Sequence, residues 1–320
     1  MTNAVVASSC LHLVAEIGVA DHVADEPVSI AELAAVCGAD TDALDRILRL
    51  LAAHGIFDHR DGGFRHTASS RLLRSDHPTS MRAFAHMMGL PIFSSSFAQL
   101  SHSVRTGAPA LEQVDPDGLW AYLQQHPPEA HVFGQAMTAK ARADIAAVLA
   151  GYDFSRFGTI ADIGGGRGHL LRAILDDQPA ADGVLFDLPD VIETLELDRE
   201  RLTARAGDFF ADPLPRADAY ILMEVIHDWQ DSDAAAILHA IRRAAEPGAT
   251  LLVIEGLLDE QHADPRVLTL DVIMLAITGG RERSATQLGE LVYSAGFSSP
   301  TTIETSGPHC GLRHLTAQAL

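Results

Sequence analysis

The run Ile160-Ala161-Asp162-Ile163-Gly164-Gly165-Gly166-Arg167-Gly168-His169 constrains the fold more than any other part of the chain. An apolar segment that ends in glycines and passes into a helical pattern reads as a buried strand, a tight turn and a helix start. Glycine in such a turn lets the backbone approach a nucleotide-like ligand more closely than any Cβ would allow. Asp187 follows at the end of a second apolar run, Gly183-Val184-Leu185-Phe186. Its distance from the loop is close to the roughly 20-residue spacing expected of a carboxylate that binds a ribose. A dinucleotide dehydrogenase fits poorly, because G-x-G-x-x-G would use Gly164 and Gly166 and then require glycine where the chain has His169.

From Thr159 onward, strand and helix patterns alternate, the signature of a doubly wound, mostly parallel α/β sheet of Rossmann-like type. Strands are expected at 159–164, 183–188, 203–208, 219–226, 250–257, 299–305 and 312–318, and helices at 168–178, 232–245, 267–277 and 284–295. The preceding half, 1–150, reads as mostly helical, and the second half as 151–320. Ala15, Ile17, Val19, Val23, Ile30, Leu33 and Val36 recur at helix-like spacing, interrupted at Gly18 and Pro27. Ser29-Ile30-Ala31-Glu32 fits a capping box. A helix from Asp42 through Leu51 ends at His54-Gly55, and Ile56 to Arg65 has the glycine-rich turn of a hairpin. Helix, turn, helix and hairpin make a winged-helix pattern. It is either a DNA reader or a packing module used for dimerisation. Asp40, Asp42 and Asp45 lie where phosphates would have to be met, so the dimerisation reading is the one expected.

Composition points the same way. A formal net charge of −20 argues against nucleic acid and against an anionic membrane surface, and also aids solubility. The three cysteines, Cys10, Cys37 and Cys310, have no metal-ligand spacing, so no metal and no disulfide framework is expected. No signal peptide or run of 18 apolar residues is visible, and a cytoplasmic protein is expected.

Three further motifs follow the glycine loop in order: Gly207-Asp208-Phe209-Phe210, Ile226-His227-Asp228-Trp229 and Gly279-Gly280-Arg281-Glu282-Arg283. Together they resemble the S-adenosylmethionine-dependent small-molecule O-methyltransferases, in particular the caffeate-type group shared by plant phenylpropanoid and actinomycete natural-product enzymes. The resemblance covers nearly the whole chain. It implies S-adenosylmethionine as cofactor, S-adenosylhomocysteine as product, a homodimer, and an antiparallel strand reached by a hairpin near Gly307-Pro308. On the cofactor side, Asp162 orients the loop and Gly164, Gly166 and Gly168 approach the amino-acid end. Asp187 takes the ribose hydroxyls, Asp208 and Phe209 flank the adenine, and Asp228 sits beside donor or acceptor. Met223 stands where plant members carry a Lys near the adenine and can still cover the ring as an apolar contact.

The resemblance makes His227 the general base, a role an imidazole suits because its ordinary pKa is about 6.5. Glu255 at the end of the fifth strand and Glu282 match two carboxylates that hold the imidazole and stabilise its charged form. Phe133, Met137, Ile273 and Met274 match apolar walls of an acceptor pocket suited to a planar ring. Each has a plainer reading. Asp208 can cap a turn, Glu282 can pair with Arg281 or Arg283 on the surface, and Phe and Met at helical spacing are often core.

The expected activity is methyl transfer from S-adenosylmethionine to a hydroxyl of an aromatic or polyketide-like small molecule in bacterial secondary metabolism. Two readings within the same fold stay open: N-methylation, and a non-methylating reaction such as hydroxylation, decarboxylation or pericyclic ring formation. A winged-helix metabolite sensor is the rival from another class, and it lacks a basic recognition face.

Overall fold

The structure is a computed structural model and describes residues 2–195, 200–259, 264–304 and 312–320. It divides into two compact units. One comprises the chain to Ser94 plus His126–Lys140, and the other comprises Ser95–Gln125 plus Ala141–Leu320.

In the first unit, helix Ala4–Glu16 precedes the short strand β1 (Val28–Ser29), helices Ile30–Cys37 and Thr41–Ala53, and the hairpin β2 (Phe57–Arg60) and β3 (Gly63–His66). The three strands pair antiparallel in the order β1-β3-β2. Ser29 and Glu32 form the capping box at the start of Ile30–Cys37, satisfying two orphan N–H groups. Gly38 stops that helix in the left-handed conformation that favours glycine. Asp40 then caps Thr41–Ala53 by accepting from Ala43 N at 2.9 Å. Leu33, Leu44, Leu48 and Leu51 bury one stripe of these helices against Phe57 and Phe64 of the hairpin. On the other face, Asp42 pairs with Arg46 and Asp45 with Arg49 one turn on, so the second helix consumes its own charges.

The second unit is built on a mixed sheet. Its strands are β4 (Thr159–Ile163), β5 (Asp182–Asp187), β6 (Leu202–Ala206), β7 (Ala219–Met223), β8 (Thr250–Leu258), β10 (Thr301–Glu304) and β11 (Leu312–Gln318), with the two-residue β9 (Arg283–Ser284) beside the end of β8. The spatial order is β10-β11-β8-β7-β4-β5-β6; β11 pairs antiparallel with both β10 and β8, and the other pairings are parallel. Leu251 and Val253 point to one apolar layer and Leu252 and Ile254 to the other, as the two-residue period of a sheet covered on both faces requires. Helix Asp231–Ala244 seals the first layer with Ala234, Ile237, Leu238 and Ile241.

Strand order reverses at β4, whose neighbours are β5 on one side and β7 on the other. Ligands of doubly wound sheets bind at the carboxyl ends of strands at such a switch point. Two sequence expectations change here. The strand expected at 219–226 ends at Met223, because Glu224 turns the backbone to φ 53° and Ile226–Asp228 forms a 3₁₀ turn. The strand expected at 203–208 ends at Ala206, where Gly207 starts a turn closed by Ala211 N and Asp212 N donating to the Asp208 carbonyl. The hairpin expected near Gly307-Pro308 lies outside the described residues. Among the described residues no helix is long and apolar enough to cross a membrane.

Candidate active site

β4 delivers the chain to the switch point and glycine turns it away. Gly164, Gly166 and Gly168 have φ of 69°, 58° and 72°, a region that strains any side chain. Gly168 caps helix His169–Asp177. A Cβ on Gly165 would collide with the Asp162 carboxyl and stand 2.5 Å from Leu185 Cδ1, so Asp162 and the loop pack with no spare room. At Gly166 the space a Cβ would enter is open. Asp187, at the end of β5, accepts from Gly166 N and from Leu188 N, each at 2.7 Å. Burial raises the Asp187 carboxyl pKa even though these two bonds favour its charged form. Asp162 is buried deeper, and burial together with the Asp187 charge pushes it up to about 7.

β7 brings the second component. His227 sits in the Ile226–Asp228 turn, 6% exposed. Its Nδ1 hydrogen-bonds Glu282 Oε1 at 2.8 Å and lies 3.4 Å from Glu255 Oε2. Two carboxylates facing Nδ1 place the proton there, leaving the Nε2 lone pair as the available base; Asp228 Oδ1 is 3.8 Å from Nε2. Burial by itself would depress the imidazole pKa. The carboxylates of Glu255, Glu282 and Asp228 outweigh it and push His227 up to about 10. Burial also raises Glu255, with His227 opposing and Glu282 adding to the shift.

Glu255 has a second task. Its Oε1 accepts from the backbone N–H groups of Val225 at 3.2 Å, Ile226 at 2.8 Å and His227 at 3.4 Å. One buried carboxylate therefore holds both the turn and the side chain the turn carries. One ring nitrogen of His227 and one carboxylate oxygen each of Glu255 and Glu282 lie within 4.8 Å of one another, a spacing a metal ion could also use, while Nδ1 and Glu255 Oε1 are engaged as described.

The segment Gly279–Arg283 closes over the same turn. Arg281 N donates to the His227 carbonyl at 2.8 Å, and Glu282 N donates to Asp271 Oδ1 at 2.8 Å. A Cβ on Gly280 would overlap the His227 carbonyl oxygen and stand 2.5 Å from the Asp228 carbonyl carbon. Gly280→Ala must therefore push the loop off the turn, carrying Glu282 with it. The expected result is a loss of about 10²-fold in kcat, the scale of an ångström-sized misplacement. Steady-state kinetics on the folded variant check this, and a kcat within twofold of wild type would contradict it.

The remaining sequence candidates fall in several places. Phe209 reaches the glycine loop, 3.9 Å from where a Gly164 Cβ would be, and forms edge-on contacts with Phe210 and Trp229. Asp208 uses Oδ1 to accept from Phe210 N at 2.8 Å, which is the turn-capping reading weighed from sequence. Met223, half-buried, ends β7. Ile273 and Met274 lie on helix Pro265–Ile277, with Met274 buried. Phe133 and Met137 belong to the other compact unit, where Phe133 stacks on Phe93 at 6.4 Å. Glu282 makes no surface pair; it is 2% exposed. From sequence, Arg283 is only a possible surface partner of Glu282, and Glu224 carries no expectation. Glu224 carries an unfavourable positive φ directly after β7, where strain accompanies functional turns. Its only sequence signal is its place between a strand and the His motif.

With this geometry in place, the chain belongs to the O-methyltransferase family. The family's O-methyltransferase domain matches residues 97–298 and its dimerisation domain matches residues 1–76. The chain is 35% identical over 312 residues to the mitomycin biosynthesis 6-O-methyltransferase of Streptomyces lavendulae, covering 94% of this chain and 87% of the relative. It is 37% identical over 303 residues to a phenazine O-methyltransferase of Lysobacter antibioticus, covering 92% and 89%. The solved structure of human N-acetylserotonin methyltransferase in complex with SAM matches at a TM-score of 0.90 and 28% identity, over 99% of this chain and 95% of that one.

Proposed function

We propose that this chain transfers a methyl group from S-adenosylmethionine to a hydroxyl of an aromatic or polyketide-like small molecule, with His227 as general base. The observation that carries the reading is the 2.8 Å contact from His227 Nδ1 to the buried Glu282, which leaves Nε2 to take a proton. S-adenosylmethionine supplies an electrophilic methyl group and departs as S-adenosylhomocysteine. The cradle fits such a ligand: open space beside Gly166, a carboxylate on Asp187 for the ribose, and the Phe209 ring next to the loop. Asp162, Gly164, Gly166, Gly168, Asp208, Met223 and Asp228 complete the proposed cofactor contacts, and Ile273 and Met274 are the proposed acceptor contacts of the same unit; Phe133 and Met137 stay acceptor candidates on the sequence resemblance alone.

The work left to the protein is alignment and one proton transfer. The acceptor O–H bond breaks, its proton goes to Nε2, and the oxygen pair becomes the nucleophile. Glu282 and Glu255 stabilise the imidazolium that results. The carboxylates that raise the His227 pKa also make Nε2 a stronger acceptor for a phenol proton than an unperturbed imidazole would be. The mitomycin and phenazine relatives support an aromatic or polyketide-like acceptor and a role in bacterial antibiotic biosynthesis. A cytoplasmic location is part of the same proposal.

The test is incubation with methyl-labelled cofactor and a panel of phenolic, quinone and phenazine acceptors. A product heavier by one labelled methyl, located on oxygen by NMR, is expected. Label on nitrogen alone, or no transfer to any acceptor, would overturn the reading.

Assembly follows from the dimerisation domain. Helix Ala4–Glu16 exposes Val5 at 68% and Val6 at 53%, and Leu13 flanks them. That surface is more apolar than a free helix face favours. A two-fold homodimer that buries this helix within residues 1–150, with the methyl donor held in 151–320, is expected. Light scattering at micromolar concentration should return twice the 34.2 kDa chain mass, and a monomer mass would refute it.

A further inference from the structure

Arg283 is 4% exposed, and its guanidinium is directed at the backbone of the turn that carries His227. Nη1 donates to the Ile226 carbonyl at 3.0 Å and to the Arg281 carbonyl at 3.5 Å. Nη2 donates to the Trp229 carbonyl at 2.7 Å and to Asp231 Oδ1 at 2.8 Å, and Nε donates to the same oxygen at 2.9 Å. A guanidinium has five N–H donors in a fixed planar fork, and here every one has an acceptor. The turn is thus gripped from two sides: Glu255 takes N–H groups from Val225 to His227, and Arg283 takes carbonyls on either side of His227. Glu282 and Arg283 are adjacent, so one segment holds the imidazole with one side chain and its backbone with the next. A buried cation held only for stability needs any counter-charge. This one is committed to the carbonyls of one functional turn and to Asp231, the first residue of the following helix.

We propose that Arg283 is a positioning residue that sets the angle and distance at which His227 presents Nε2 to the acceptor hydroxyl. The inference rests on His227 being the base. Without the fork, the turn keeps its Glu255 contacts and the Arg281 N bond to the His227 carbonyl but loses its hold at Ile226 and Trp229, and the imidazole slackens from Glu282, Glu255 and Asp228, the charged groups that face it.

Arg283→Lys is the discriminating variant, because lysine keeps the charge but cannot span acceptors disposed for a planar fork. Cofactor affinity should be unchanged by calorimetry, while kcat falls about 10²-fold with KM for the acceptor little altered. The alkaline rise of kcat/KM, set by loss of the His227 proton, should move down by about one pH unit as the carboxylates lose their hold. A purely structural role would lower the melting temperature without moving that rise. If His227→Ala loses turnover but Arg283→Lys keeps wild-type kcat and pH profile, the positioning role is wrong and the base assignment stands. If His227→Ala itself keeps turnover, the base assignment fails and this inference with it. Should Arg283→Lys not fold, Asp231→Ala releases the same guanidinium from an exposed carboxylate. A roughly tenfold drop in kcat is then expected, and an unchanged kcat would overturn the proposal.

Discussion

His227→Ala should lower kcat by about 10²–10⁴-fold while leaving affinity for S-adenosylmethionine nearly unchanged. The size follows from what is removed. Nε2 is the one ring nitrogen of His227 not committed to a carboxylate hydrogen bond, and Asp228, its charged neighbour at 3.8 Å, would be a far weaker base toward a phenol. Cofactor binding should survive, because the glycine loop and Asp187 come from β4 and β5, and removing the imidazole leaves Asp228, the proposed cofactor contact on the His turn, in place. Glu282→Gln should cost less than His227→Ala, since the amide can still accept from Nδ1 but no longer stabilises an imidazolium. In that variant the alkaline rise of kcat/KM should appear at lower pH. The sign follows from the interaction: Glu282 and Glu255 raise the imidazole pKa, so weakening them lets the proton leave earlier. Rate measurements from about pH 6 to about pH 11, a range that extends past both the ordinary and the raised imidazole values, decide the point. A rise that stays in place would remove Glu282 from the account.

Asp187→Ala should weaken binding of S-adenosylhomocysteine by about 10- to 150-fold, or about 1.5–3 kcal/mol, the scale of hydrogen bonds to a charged group. Two losses combine. The ribose hydroxyls lose their proposed acceptor, and Gly166 N and Leu188 N lose the carboxylate that now ties the glycine loop to the end of β5. Gly166 matters because its backbone borders the open space proposed for the ligand. Isothermal calorimetry on the folded variant measures the change. Affinity within threefold of wild type would mean the ribose lies elsewhere.

Local chemistry made much of this legible in advance. The strand–glycine–helix run at 160–169 can adopt few other shapes, and the capping box at Ser29 marks a helix start by residue type alone. Helix and strand limits in the second half mostly shift by one or two residues, as frayed ends allow. The strand through 226 was misjudged because Tyr220 to Ile226 is apolar enough to continue, and only the backbone reversal at Glu224 stops it. Arg283 reads from sequence only as a possible surface partner of Glu282, for a different reason. An arginine in a glycine-rich loop reads as solvated, and nothing local says that residues 57 apart in sequence will meet. The parallel pairing of β9 with the end of β8 brings them together. Glu255 was expected to face the imidazole, but its three backbone N–H partners depend on where the chain turns after β7.

The most direct measurement compares wild type with His227→Ala on one phenol scaffold whose ring substituents step its pKa from about 10, the ordinary phenol value, down to about 6. If His227 removes the acceptor proton, the ratio of the two kcat values is large for the least acidic phenol. It shrinks steadily as the phenol ionises without help, approaching unity at the acidic end. A ratio that stays constant across the series, or near unity throughout, would contradict base catalysis by His227 and leave alignment of donor and acceptor to account for the rate.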